Sequence, residues 1–153
     1  MAPWEVDSLR LRLFEELDRV VKALDGLDEA AVNWKPASPS ANTLLVLASH
    51  TLGAAEDHVV SRLCGEDVAR SRPAEFAATG SAAHIRQRTA EVKLRVTRAL
   101  AKMDPAVLEV MRDTPVGKVA SGHWLVHAVA HAAEHAGQME LTRDLWRATQ
   151  ERA

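Results

Sequence analysis

The chain has 153 residues, 47% of them hydrophobic and 26% charged, with a formal net charge of -2. This length suits one domain, residues 1–153, able to bury roughly 68–70% of its unfolded surface without a disulfide scaffold. The balanced charge supplies no basic footprint for nucleic acid, and the lone Cys64 excludes an internal disulfide and fits a reducing compartment.

The first periodic segment runs from Trp4 to Leu24, where Leu9, Leu13, Leu17, Val21 and Leu24 recur every three or four residues between charges. That spacing predicts an amphipathic helix. The stretch "KPASPSAN" then interrupts structure with Pro36 and Pro39, and Asn42 is the candidate N-cap of a second helix ending at Leu63, before Gly65. The part of it from Leu44 to Ala55, "LLVLASHTLGAA", carries no charge. A helix that is apolar on every side is a buried one, and His50 lies within it. A third helix is predicted from the cap Ser81 to Met103, with Ile85, Thr89, Val92, Val96, Ala99 and Met103 on one face and charges on the other. A connector holding Pro105, Pro115, Gly117 and Gly122 leads to the last helix, Gly122 to Gln150, whose apolar stripe is Leu125, Val129, Ala132, Ala136, Met139 and Trp146. No segment alternates as a strand would. Four helices of roughly 20–28 residues, joined by connectors of about 17–19, predict an all-α four-helix bundle with long connectors. Trp4, Trp34, Trp124 and Trp146 are expected as core anchors. No apolar run is long enough for a bilayer. The first residues, "MAPWEVDSLR", are acidic where a signal peptide is apolar, so a cytoplasmic location without a membrane partner is expected.

The chemistry lies in "HWLVHAVAHAAEH", where His123, His127, His131 and His135 recur every four residues. Residues four apart on a helix differ by about 40° in direction and about 6 Å in height, so one adjacent pair can share an ion. His127 and His135 stand about 12 Å apart along the axis, so no single ion takes the whole column. Further ligands must come from another helix, and His50 is the outside candidate. A buried imidazole without a partner costs about 1–3 kcal/mol, and bundles build metal sites from facing helices. Gln138 lies within about 60° of His131 and His135 in helical phase and suits a hydrogen bond that orients a ligand. Glu134 also falls on the histidine side, as an acceptor to a ligand or as a solvated carboxylate. His58 and His84, flanked by charges, are expected on solvated faces, and His123 at the surface or in a cap.

"NWKPASPSANTLLVLASH" (33–50) and "HAVAHAAEHAGQMEL" (127–141) resemble the two signature regions of the DinB-like (DinB/YfiT) superfamily. The resemblance implies a four-helix bundle that holds a divalent metal with three histidines, one on the second helix and two on the last. Carried over by motif, these are His50, His131 and His135, and His127 matches an accessory histidine one turn earlier. Ala136 stands where the family often has arginine. Some relatives use low-molecular-weight thiols such as mycothiol, bacillithiol or glutathione, so the resemblance implies a metal-dependent thiol transferase or isomerase acting on a small molecule. Zinc or nickel leads among the metals, with iron behind them. A homodimer is compatible with this fold. The first alternative is a non-enzymatic, stress-related binding or dimerisation bundle with a structural metal. The second is a metal-dependent hydrolase, because "HAAEH" fits the H-x-x-E-H pattern with Glu134 as base.

Overall fold

A computed structural model describes residues 3–114 and 117–151. The first periodic segment folds as α1 (Pro3–Lys22). It buries Leu13, Leu17 and Val20, and Leu24 is buried just past its end. A one-turn helix, α2 (Glu29–Val32), is capped by Asp28. The uncharged segment forms α3 (Leu44–Glu56), in which nearly every side chain is buried. Its cap is Thr43, one residue later than expected, whose hydroxyl accepts from the Val46 N–H at 3.0 Å. The same rod continues as a π-helical segment over Asp57–Leu63. After α4 (Arg72–Phe76) comes α5 (Ala82–Lys102), capped by Ser81 as its sequence suggests. A 3-10 turn (Pro105–Glu109) precedes a small antiparallel hairpin, β1 (Met111–Thr114) and β2 (Gly117–Ala120). Strand alternation had not marked this hairpin, because its residues are mostly exposed and bury no alternating face. Pro115 lies outside the described residues. The last helix, α6 (His123–Gln150), runs for 28 residues.

α1 and α3 each pack against both α5 and α6, which closes the all-α bundle. The core gathers Leu13, Leu17, Leu44, Leu52, Val92, Val96, Leu125, Ala132 and Met139. Small residues on α6, Ala128, Ala132 and Ala136, are fully buried in the core. The expected tryptophan anchors do not all hold: Trp4 is 68% exposed near the start of α1. Trp34 and Trp146 instead pack on each other at 5.6 Å, each half-buried. Among the described residues no helix is long and apolar enough to cross a membrane.

Two buried carboxylates tie the helices. Glu16 on α1 pairs with Arg12 and Arg19 of its own helix, and Arg19 reaches Glu140 on α6 at 2.8 Å. These bonds raise the Arg19 pKa and lower that of Glu140. Glu56, at the end of α3, pairs with Arg88 and Arg95 of α5. Both arginines keep contact with water, so the loss on removing Glu56 is that of a buried hydrogen-bonded network. Glu56→Ala is expected to lower the unfolding free energy by about 1–3 kcal/mol, read as a lower urea midpoint at unchanged slope; an unmoved midpoint would show that the two arginines tie nothing.

Candidate metal centre

His50 comes from α3, and His131 and His135 are successive turns of α6. A ring nitrogen of each lies within 4.8 Å of the others. Ring centroids are 5.1 Å apart for His50–His131 and His50–His135, and 4.4 Å for His131–His135. Imidazoles sharing one ion at about 2.0–2.1 Å stand with centroids roughly 4.5–5.2 Å apart, from tetrahedral or right-angle geometry. His131 Nε2 and His135 Nε2 are 3.2 Å apart, close to the edge of about 3.3 Å expected for two nitrogens on a tetrahedral ion. The three expected residues thus meet in one group that could hold a metal ion. His50 is buried and the other two are half-buried, so the group opens toward solvent on one side.

Contacts behind the rings decide which nitrogens face inward. Gln138 Oε1 accepts from His135 Nδ1 at 2.8 Å, as its helical phase suggests. Glu134 is exposed and accepts from Gln138 Nε2 at 3.4 Å, so its contact with the group runs through that amide. His50 Nδ1 donates to Glu75 Oε2 at 3.0 Å. Glu75 in turn accepts from Arg70 at 2.7 and 3.0 Å, and Arg70 also donates to Asp57 at 3.3 Å. Nδ1 donation on His50 and His135 leaves Nε2 as the nitrogen with a free lone pair. Gly53, three residues after His50, makes room for this arrangement, since a methyl group there would overlap the Glu75 carboxylate.

Glu75 and Arg70 were not legible as site residues. They sit in a connector without periodicity, and only the Ser71 cap with Pro73 behind it marks a short helix there. His58 is a correction. Its charged neighbours suggest a solvated face, yet it is 7% exposed, because Glu56 beside it is itself buried and paired and the π-helical turns carry His58 toward α6. His84 and His123 are exposed as expected. His127 is half-buried, with its ring 6.1 Å from His131, outside the three-ring group. The H-x-x-E-H peptidase arrangement needs an acidic third ligand after His135, whereas among the described residues the group that could hold a metal joins His131 and His135 to His50.

Burial is the main cause that lowers the pKa of His50, partly offset by the Glu75 hydrogen bond. Burial likewise pushes His58 down to about 4 and His131 down to about 3, with neighbouring imidazoles adding to the effect. All three are therefore neutral at pH 7, the form in which imidazole ligates metals. Cys64 is pushed up to about 11 by burial and remains a packed thiol.

A family model described as the DinB superfamily matches residues 12–139. A solved structure described as a conserved protein from Enterococcus faecalis shares the fold with a TM-score of 0.73 at 17% identity, covering 95% of this chain and 97% of that one. No curated protein matches the chain.

The neutral imidazoles carry a pH signature. Between the ordinary histidine value of about 6.5 and the depressed values, the unfolded chain takes up protons that the folded chain refuses, so stability is full above pH 6.5 and falls as pH drops. The melting temperature of the metal-free protein should decline steadily from pH 7 to pH 4.5, and His58→Leu should flatten that decline. A melting temperature constant down to pH 5 would mean that these rings are hydrated.

Proposed function

The chain belongs to the DinB superfamily, and we propose that His50, His131 and His135 hold one divalent metal ion in a metal-dependent enzyme of the thiol-dependent transferase or isomerase type. Zinc or nickel is the first choice of ion and iron the next, since imidazole ligation suits all three. The observation that carries the metal reading is the 3.2 Å approach of His131 Nε2 to His135 Nε2, with His50 as the third ring. One proton between two nitrogens satisfies that pair but leaves the third ring's role unexplained. One ion satisfies all three.

Bound there, such an ion would act as a Lewis acid and lower the pKa of a thiol or water. The protein's own groups set the conditions for this. Arg70 neutralises Glu75, so the carboxylate orients His50 without adding net charge. Gln138 is neutral and orients His135 in the same way. Three neutral ligands leave the ion's full charge to act on a substrate atom, and the half-exposed rims of His131 and His135 give that atom access. Phe76 packs on His50 at 5.0 Å and is 42% exposed, which supplies an apolar wall at the mouth. Arg72 stands 5.3 Å from the Phe76 ring and adds a cation beside that wall. Mycothiol, bacillithiol and glutathione are the candidates to test.

The non-enzymatic reading, a bundle fastened by a structural ion, is favoured by one observation: Glu134 turns to Gln138 and is not aimed at the group as a general base. The hydrolase reading also needs that base.

Metal titration with elemental analysis should find one tight zinc or nickel ion per chain, lost in His50→Ala, His131→Ala and His135→Ala and kept in His127→Ala. A tight ion retained in all three ligand variants would remove the site from the three rings. Glu75→Ala should weaken the ion by about 10–100-fold, the usual cost of losing a group that orients a ligand, whereas an unchanged affinity would make Glu75 a mere surface pair of Arg70. Cobalt- or nickel-loaded protein should develop a thiolate charge-transfer band on adding one of the three thiols. No band and no turnover with any of them, together with a large rise in melting temperature on metal loading, would favour the structural ion.

A further inference from the structure

The imidazoles of this protein do not end at the three-ring group. His58 lies on the π-helical continuation of α3 and packs its ring 4.7 Å from that of His127, at 68°. This spacing falls within the range spanned by the three-ring group itself, 4.4 to 5.1 Å. It also falls within the roughly 4.5–5.2 Å expected for two imidazoles on one ion. The His58 side chain is 93% buried by its 7% exposure, and its Nδ1 is buried with no hydrogen-bond partner. A buried polar nitrogen without a partner is costly, and such atoms call for an unseen partner or ion. The helical geometry is itself unusual here. Cys64 N–H donates to Val59 O, the five-residue spacing of a π turn, and such turns occur often at functional sites.

We propose that His58 and His127 form a second divalent-metal site, one turn of α6 from the three-ring group. Trp124 closes one side of it, stacked on His58 at 5.5 Å and 22°. Arg62 lies over Trp124 at 4.6 Å, and its charge is offset by Asp57, which accepts from it at 2.8 Å. Burial holds both rings in the neutral, ligating form. His131 stands 5.7 Å from His58 and 6.1 Å from His127, and its Nε2 is already directed at His135. His123 stacks on His127 at 5.8 Å and 25°, wider than the shared-ion range. The second ion is therefore held by two protein ligands with water completing its shell, and it is repelled by the first ion one turn away. Both effects make it the weaker of the two.

The test is a stepwise titration of the metal-free full-length chain with zinc, and with copper(II) for a spectroscopic count. Wild type should take one tight equivalent and a second at least tenfold weaker, and His127→Ala should keep the first and lose the second. His58→Leu should do the same if it folds, and His127→Ala, at a half-buried position, serves if it does not. A single equivalent in wild type up to millimolar metal, or a second that survives in His127→Ala, would overturn the proposal. His135→Ala separates this inference from the one above: it should lose the tight ion and keep the His127-dependent one, whereas a wild-type chain that takes up no tight ion but keeps a His127-dependent one would sink the proposed function and leave the second site standing.

Discussion

Everything specific to this protein depends on the packing of α3 against α6, because that contact forces neutral imidazoles from two helices into a space where each nitrogen must find a partner. α3 is buried on nearly every side, so His50 has no route to water through its own helix. α6 meets it with His131 and His135, whose rings come within 5.1 Å of His50. The helix packing and the histidines act together: the first brings the backbones close, and the second use the resulting proximity.

A column of histidines every four residues does not by itself say where a site begins and ends. The structure divides it by partners. His135 is held from behind by Gln138, and His50 by Glu75 with Arg70 beyond it. These contacts fix which nitrogen of each ring faces inward, and they join the three-ring group to both its own helix and the connector after the π segment. His127 has no such support within the group and faces His58 instead. The break in the column at His127 follows from helical rise, since rings two turns apart cannot meet. Where the break falls depends on which rings the opposite helix offers.

The main helices were legible because their apolar residues keep helical periodicity for many turns, and the three-ring group because His50 sits in an uncharged stretch and the last pair shares its spacing. The parts that were not legible have separate physical causes. Glu75 and Arg70 reach the site from a connector, where nothing in local spacing reports which buried ring a side chain will touch. The charges around His58 do not report exposure, since Glu56 beside it is buried and balanced by Arg88 and Arg95 from α5. Trp4 failed in the opposite direction, since an aromatic ring near a helix end is not committed to the core. The hairpin Met111–Thr114 and Gly117–Ala120 carries no alternation to read, because neither of its faces packs as a core.

The long connectors have a role that a minimal bundle could not fill. In an up-down bundle with short loops, the His50 ring on α3 could be oriented only by neighbours on the helices themselves, and α3 is too apolar to supply one. The segment between the π turn and α5 instead folds back as α4 and lays Glu75 over His50 and Phe76 over its ring. Gly53 is the counterpart of that insertion on α3, since it leaves the space that the carboxylate occupies. A rigid bundle thus positions the three rings, while a connector sets their orientation and forms the wall at the mouth. Changes in α4 can therefore alter the surroundings of the three rings without disturbing the helices that bring them together.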